Sequence, residues 1–333
     1  MVRAHSVILA LAVSAALTCS ATAQTQKAKA IYTASAAGAY QISFCPPIPV
    51  AMESAGFPGY VCTPSGGTPD NIAKVLADPR SLGFVQLDVL ARWALDNFEA
   101  AKKLVLIRTL ACEGLWMVTR EKDMATVYLG QIVGHARRLQ FAIADGGSRA
   151  SFEFVQRIDP DGLGRASNIE IVDNATTAIE RVASEHADVG FFVQFVEPTN
   201  SNIRLLQERK LRTVPVVNPE LIAARVSNMP VYQVQSFNLS EWSAFGGNGS
   251  LTTTCTPAVI ITGAPEAIAD LEGADNQRAL LSMIKAAPDT AFLPRDNRMV
   301  RLISSSRTVP GPELKDMLAA YDAAKRKAEA STP

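Results

Sequence analysis

The sequence predicts an α/β fold of two lobes, each a mixed, mostly parallel sheet with flanking helices, and a ligand cleft between the lobes. Short apolar runs alternate with helical patterns along the chain, which is typical of parallel strands joined by crossover helices. Two of these runs, LGFVQ at residues 82–86 and VGFFVQ at residues 189–194, resemble each other, and each closes a similar series of strands and helices. Because ligands bind beyond the carboxyl ends of strands in open α/β sheets, two facing lobes define a cleft.

The predicted strands occur in the same order in both lobes. They lie at residues 30–33, 59–62 and 82–86 in the first lobe, and at residues 140–143, 169–172 and 189–194 in the second. Apolar runs at residues 115–119 and 257–261 predict strands that enter and leave an inserted second lobe. We therefore expect lobe one to comprise residues 28–118 plus 256–330, and lobe two to comprise residues 119–255.

The last predicted element is a helix over residues 312–327. Leu314, Met317, Leu318 and Tyr321 recur in it at helical spacing and form one apolar face. Since the chain is expected to have returned to lobe one by this point, we expect the helix to pack on that lobe.

The N-terminus predicts export. Arg3 precedes an apolar run at residues 7–13, and small residues up to Ala23 form a cleavage site, which is the pattern of a secretory signal peptide over residues 1–23. A transmembrane anchor is the alternative, but it needs about 18 or more apolar residues. Lipid attachment at Cys19 stays open, although the residue before it fits such a site poorly. The mature protein is therefore expected in the periplasm, after passage through the inner membrane.

The charge balance argues against polyanionic partners. With 32 basic and 32 acidic residues, the chain has no electrostatic bias toward nucleic acid or an anionic membrane. About 310 residues remain after the signal, which is enough for two domains with full cores. We therefore expect no nucleic-acid partner.

Four cysteines remain in the mature chain: Cys45, Cys62, Cys112 and Cys255. No two are spaced like metal ligands, and exported thiols meet an oxidising environment, so disulfides are predicted. Three connectivities are possible. Cys45 is expected on the first helix and Cys62 on the next strand, while Cys112 and Cys255 fall where the chain crosses between lobes, so we predict Cys45–Cys62 and Cys112–Cys255. Four buried free thiols are the alternative.

Catalytic and cofactor motifs are absent from the sequence. It contains no HExxH, GxSxG, GxxxxGK[ST] or GxGxxG segment. The segment from Asp159 to Glu170 resembles a calcium loop, but Leu163 supplies no oxygen where the third ligand is needed. We therefore expect no metal, no cofactor and no enzymatic activity.

Glycine, hydroxyl and amide groups follow several predicted strands, at residues 35–40, 63–71 and 145–149. Each loop leads into a helix, whose first N–H groups favour anions. Taken singly, these loops are equally typical of capped turns. Three of them on the side where the lobes face each other favour ligand contact. Arg149 is the charged candidate among them, since its guanidinium can pair with a carboxylate through two hydrogen bonds; a surface arginine is the alternative.

These residues also carry a family resemblance. The signal peptide, SGGTPDN at residues 65–71, GFVQLD at residues 83–88 and ADGGSR at residues 144–149 resemble the type II periplasmic solute-binding proteins. The chain is most similar to their TAXI group, the receptors of TRAP-type transporters. The resemblance implies a monomeric receptor that closes on a small organic acid or amino acid and delivers it to membrane permease subunits.

The expected ligand-binding residues lie at strand ends and helix starts of both lobes: Ser35, Tyr40, Ser65, Gly66, Gly67, Thr68, Asn71, Gln86, Gly147, Ser148, Arg149, Asn174, Phe192 and Gln194. We expect Arg149 to hold a ligand carboxylate together with N–H and hydroxyl groups of the loops. Two other functions stay open. One is a sensor that presents its ligand to a membrane kinase; the other is an exported dehydratase-like enzyme, for which Glu153 is the candidate acid.

Overall fold

The computed structural model describes residues 29–36, 38–120, 128–195, 201–226, 228–238, 250–294 and 296–331. The predicted signal peptide and Cys19 lie outside the described residues. Eleven of the described strands join one mixed sheet. The protein is therefore a mixed α/β structure, as the sequence predicts.

The first lobe is built on three parallel strands in the order β2-β1-β3. Its strands are β1 (Lys29–Tyr32), β2 (Tyr60–Thr63) and β3 (Leu82–Gln86). Its helices are α1 (Pro47–Ser54), α2 (Thr68–Ala77), α3 (Leu87–Asp96) and α4 (Phe98–Ala101), with a π-helix at Tyr40–Phe44 before α1. Parallel neighbours require crossover connections, and α1 and α2 supply them.

The second lobe repeats this order as β6-β5-β7. Its parallel strands are β5 (Gln140–Ala144), β6 (Asn168–Val172) and β7 (Val189–Gln194). Its helices and remaining strand are α5 (Leu129–Gly134), α6 (Gly147–Ile158), α7 (Ala175–Ala183), α8 (Ser201–Glu208) and β8 (Leu211–Val214). The resemblance between residues 82–86 and 189–194 thus reflects equivalent strands of two repeated units.

Two long antiparallel strands connect the lobes. These are β4 (Leu104–Arg120) and β12 (Ser250–Gly263). The first part of β4 pairs with β12, and its part from Gly114 onward pairs with β7. A 17-residue strand rises about 55 Å, which is long enough to serve both lobes. The predicted limits after residues 118 and 255 fall within these two strands and stay a prediction.

The later elements complete both sides of the sheet. They are α9 (Pro219–Ala223), β9 (Arg225–Val226), β10 (Met229–Pro230), β11 (Gln233–Asn238), α10 (Leu271–Ala286), α11 (Asn297–Ser305), β13 (Arg307–Thr308) and α12 (Gly311–Ala330). Leu280 and Ile284 of α10 join the core of the first lobe. None of the described helices combines the length and the apolar character that a membrane crossing requires.

Both predicted disulfides are confirmed. Cys45 and Cys62 are bonded with their Cα atoms 6.0 Å apart, and Cys112 and Cys255 with theirs 5.4 Å apart. Cys45 directly follows the π-helix instead of lying on α1. The second bridge joins β4 to β12 where the two long strands pass between the lobes.

The expected position of the last helix is wrong. α12 packs on α5 of the second lobe, and Tyr321 enters the core of that lobe. A Cβ atom at Gly130 of α5 would lie 2.1 Å from the carbonyl oxygen of Tyr321, so only glycine permits this close approach of two backbones. The apolar spacing of the helix predicts that one face is buried but does not identify the surface that covers it.

Candidate functional site

A cavity of about 500 Å³ lies where the two lobes face each other. This volume is within the range of pockets that hold small molecules. Its walls come from both lobes, since Tyr40 and Gln86 belong to the first and Ser148 and Gln194 to the second. The cavity is therefore placed at the strand ends and helix starts that the sequence singles out.

Most of the expected site residues line this cavity. They are Ser35, Tyr40, Gly67, Thr68, Gln86, Gly147, Ser148, Asn174 and Gln194. The lining also contains residues that the sequence did not indicate, including Glu113, Thr176, Phe195 and Asn202. A role of any of these residues in ligand binding stays a prediction.

Three helices begin at the cavity wall. Gly67 and Gly146, with φ of +88° and +72°, immediately precede α2 and α6. Glycine adopts this left-handed conformation without strain, which lets each chain turn sharply from strand end to helix. Neither helix has a side-chain cap at the residue before its start. The first-turn N–H groups of α6, and those of α2 apart from Pro69, which has none, therefore receive no cap from the residue before the helix.

The third helix, α7, differs because a side chain caps it. Asn174 Oδ1 accepts a hydrogen bond from the backbone N–H of Thr177 at 3.0 Å. The carboxamide thus stabilises the start of α7 while the residue also lines the cavity.

Gln86 and Glu113 form a buried pair in the cavity wall. Each residue is only 5% exposed, and Gln86 Nε2 donates to Glu113 Oε2 at 2.6 Å. Glu113 lies on β4 next to Gly114, the residue at which β4 begins to pair with β7. Among the described lining residues, Glu113 alone has a carboxyl or basic side chain. One signal for it was present in the sequence: a glutamate that interrupts the apolar run of β4.

Tyr40 contributes a buried phenol to the wall. Its ring packs against Phe84 and Phe195, with centroids 4.9 and 5.6 Å away. Burial raises the pKa of Tyr40 well above its usual value, and the nearby charge of Glu113 raises it further. The hydroxyl therefore stays protonated at neutral pH and can donate a hydrogen bond.

Three buried polar atoms of lining residues have no hydrogen-bond partner among the described residues. They are the Tyr40 hydroxyl, Gln86 Oε1 and Gln194 Nε2. A buried polar group without a partner costs about 1–3 kcal/mol, so native proteins rarely leave one unexplained. Each of these atoms is enclosed by protein, and Gln86 Oε1 faces Gly147 of the second lobe, where an added Cβ would lie 2.2 Å away.

Three expected site residues have other roles in the structure. The Asn71 side chain is fully buried, and its Nδ2 donates to the backbone oxygens of Thr33 and Phe84 at 2.7 Å, which joins β1 to β3. Ser65 Oγ accepts from the N–H of Gly67 at 3.3 Å and so shapes the loop before α2. Phe192 is 1% exposed and belongs to the apolar cluster around α7.

Gly66 likewise lies outside the lining. Its N–H donates to the carboxylate of Asp70 at 2.9 Å. The loop from Ser65 to Gly67 thus supports the start of α2, and only Gly67 reaches the cavity wall.

Arg149 does not line the cavity, and its expected role in holding a ligand carboxylate stays a prediction. Its side chain is 50% exposed, and Nε donates to Glu153 Oε1 at 2.9 Å. Glu153 lies one helical turn further on the same face, so the ion pair holds the guanidinium along α6. Glu153 also pairs with Arg92 of α3, so the acid considered for an enzyme lies outside the cavity lining.

No metal centre emerges from the described residues, in which no group of three or more His, Cys, Asp or Glu side chains could hold an ion. In this segment residues 160–162 form a turn, a 3₁₀-helix follows at Leu163–Arg165, and Glu170 lies in β6. Asp159 Oδ2 accepts hydrogen bonds from the N–H of Leu163 at 3.0 Å and from Asn218 Nδ2 at 2.9 Å.

The sequence matches no protein-family model and no curated protein. The chain is similar in structure to a TctC solute binding protein from Polaromonas, with 14% identity, a TM-score of 0.46, and coverage of 92% of this chain and 99% of that one. It is similar to the periplasmic binding protein BugD, with 12% identity, a TM-score of 0.46, and coverage of 91% and 95%. It is also similar to the GluR0 ligand binding core in complex with L-glutamate, with 9% identity, a TM-score of 0.47, and coverage of 90% of this chain and 99% of that one. Likenesses at these values say nothing of this chain's ligand or partner.

Proposed function

We propose that this protein is a solute-binding receptor that captures a small organic acid or amino acid between its two lobes and delivers it to a membrane transporter. The observation that carries this proposal is the cavity of about 500 Å³ between the lobes, whose lining contains polar side chains from both of them, including Ser35, Thr68 and Asn174. Such convergent polar groups are typical of small-molecule sites.

The mechanism of capture is closure of the lobes on the ligand. Each lobe supplies part of the wall, so a ligand gains its full set of contacts only when the lobes meet. A ligand can shift the open–closed equilibrium only by its difference in affinity for the two states, and contacts made to both lobes supply that difference. The long strands β4 and β12, which both lobes share, are the proposed hinge.

The finer assignment is a receptor of the TAXI group that serves a TRAP-type transporter. The segments at residues 65–71, 83–88 and 144–149 support it by their resemblance to that group. We propose that the receptor works as a monomer, with the permease subunits as its partners. Two disulfides suit the oxidising periplasm, which is the proposed location.

Binding of a small acid can be measured directly. A thermal-shift panel of organic acids and amino acids should raise the melting temperature for a subset, and calorimetry should then give its dissociation constant. Replacing Tyr40 by Phe removes only the hydroxyl and should weaken binding about five- to tenfold, the effect of one hydrogen bond.

Arg149→Ala is the matched control for this experiment. Because Arg149 pairs with Glu153 outside the cavity lining, its removal should leave the dissociation constant unchanged. A panel without any hit would contradict the receptor, and a strong effect of Arg149→Ala would place the site elsewhere.

A further inference from the structure

The pairing of β4 with β12 is irregular where these strands pass between the lobes. Gly114 pairs with Cys255 of β12 and is also the residue at which β4 begins to pair with β7. Two residues further along β12 lies Pro257, which has no backbone N–H to donate to a neighbouring strand. A shift in register follows between Ala258 and Val259. A proline and a bulge each interrupt a regular strand pair, and glycine is the most permissive residue for a change of backbone angle, so this segment suits a hinge.

The Cys112–Cys255 disulfide spans this irregular segment. Cys112 pairs with Pro257, and Cys255 pairs with Gly114, so the bridge runs diagonally between two neighbouring pairs of the ladder. Its two Cα atoms are 5.4 Å apart. A disulfide tolerates only a narrow range of Cα separations. The bridge therefore opposes the sliding and twisting of β4 against β12 that the irregular pairing would otherwise permit.

The same bridge lies directly behind the cavity wall. Successive side chains of a strand point to opposite faces, and Glu113 lies between Cys112 and Gly114. Glu113 accordingly lines the cavity, where it accepts the hydrogen bond from Gln86, whereas Cys112 lines a small hollow on the other face together with Phe237. Neither cysteine of the bridge lines the cavity. An effect of the bridge on ligand binding would therefore act through the position of the wall.

We propose that the Cys112–Cys255 bridge restricts the hinge to a narrow range of lobe orientations and so keeps the two halves of the cavity wall in position for a ligand. Lobes that are already restricted lose less conformational freedom when a ligand binds, which favours affinity. Cys45–Cys62 joins two segments of the first lobe and has no such role. The effect on binding rests on the proposed receptor function, but the restriction of the hinge exists without a ligand.

Single-molecule energy transfer tests the restriction in protein from which bound small molecules have been removed by dialysis. The dyes are attached to azidophenylalanine residues that replace Leu271 of α10 and Ile171 of β6, two exposed side chains in different lobes. Replacing Cys112 and Cys255 together by alanine should widen the distribution of distances between the dyes. Replacing Cys45 and Cys62 together by alanine is the matched control, which should lower stability but keep the wild-type width.

Reduction tests the same bridge without a substitution at the hinge, and so keeps the test available if the first variant fails to fold. In the protein without Cys45 and Cys62, dithiothreitol cleaves the Cys112–Cys255 bridge. Its two thiols give two electrons and two protons to the bridge, which becomes two thiols, while the reagent closes to its cyclic disulfide. The distance distribution should widen on reduction and narrow again on reoxidation.

The outcomes separate this inference from the receptor function. Equal widths for the wild type, the hinge variant and the reduced protein overturn the inference. Equal widening on loss of either bridge also overturns it, because the effect would then be a general loss of stability. Both results leave the receptor function standing, since the panel of acids tests that function independently; a panel without any hit contradicts the receptor whatever the widths are.

Discussion

At the scale of single residues, Gly147 controls how closely the lobes meet at the cavity. A Cβ atom there would lie 2.2 Å from Gln86 Oε1 on the opposite lobe. The position lies in α6 and has ordinary helical φ, so alanine is compatible with the local backbone. Only the contact across the cleft requires glycine.

We predict that Gly147→Ala weakens ligand binding about tenfold or more and lowers the unfolding free energy by about 1–3 kcal/mol, because it disturbs a buried hydrogen bond. The added methyl group displaces the Gln86 amide from its hydrogen bond with Glu113. Because Gln86 lines the cavity, this displacement changes the shape of the cavity wall and lowers the affinity for the ligand. Calorimetry and urea unfolding measure the two effects. Gly311→Ala, where an added Cβ meets no atom within 4 Å, is the control; equal affinities for all three proteins would contradict the role of Gly147.

Asp159 should make stability depend on pH. Burial raises the pKa of its carboxyl from 3.8 to about 6, and the charge of Glu220 adds to the rise. The folded state therefore binds this proton more tightly than the unfolded state. Its favourable contribution is complete below about pH 4, and it is lost as the pH rises through 6, which amounts to about 3 kcal/mol.

Asp159→Asn isolates this contribution. The variant keeps an acceptor oxygen for the N–H of Leu163 but does not titrate. Urea unfolding of both proteins from pH 4 to pH 7 should show the wild type losing about 2.4 kcal/mol relative to the variant, most of the full contribution. Parallel stability curves would show that Asp159 titrates normally in the folded protein.

The sequence identifies many of the residues that line the cavity but not the interactions of each one. Gln86 and Gln194 are predictable because they end equivalent strands, and the cavity forms where those strands end. The pairing of Arg149 with Glu153 is not predictable from the sequence, because it depends on side-chain packing that no motif specifies. Glu113 is missed because it lies within a long strand, away from the loops where polar site residues are usually sought.

At the scale of elements, the repeated strand order is the feature best predicted from the sequence. The alternation of apolar runs with helical patterns, together with the similarity of β3 to β7, identifies the two repeated units. Each buried strand shows its apolar run in its own sequence, so no knowledge of its neighbours is needed. The partner of α12 is not predictable in this way. Its contact with α5 depends on glycines that let two helix backbones approach, and that requirement appears only when both helices are seen together.

Gly130→Ala tests this helix contact. Alanine usually stabilises a helix by about 0.5–1 kcal/mol relative to glycine. Here the added methyl would meet the Tyr321 carbonyl oxygen at 2.1 Å and the Lys325 nitrogen at 2.7 Å, so we predict a loss of about 1–3 kcal/mol in unfolding free energy. Chemical unfolding measures it, with Gly311→Ala as the control. A gain in stability would show that α12 does not pack on α5.

At the scale of the whole molecule, the two lobes are already in contact outside the cavity. Helix α3 of the first lobe packs on α6 of the second, and Arg92 pairs with Glu153 across this contact. Arg157 Nη1 lies 2.9 Å from Asp96 Oδ1 between the same helices. The lobes are therefore held together on one side while the polar cavity lies between them.

Native mass spectrometry of the protein purified without denaturation tests the central claim most directly. We predict that the wild type carries or takes up one small acid per chain, and that Gly147→Trp, whose indole would occupy part of the cavity, does not. Equal masses of bound ligand on both proteins would place the site outside this cavity. A wild type that stays free of ligand after incubation with the whole panel of organic acids and amino acids would contradict the receptor function.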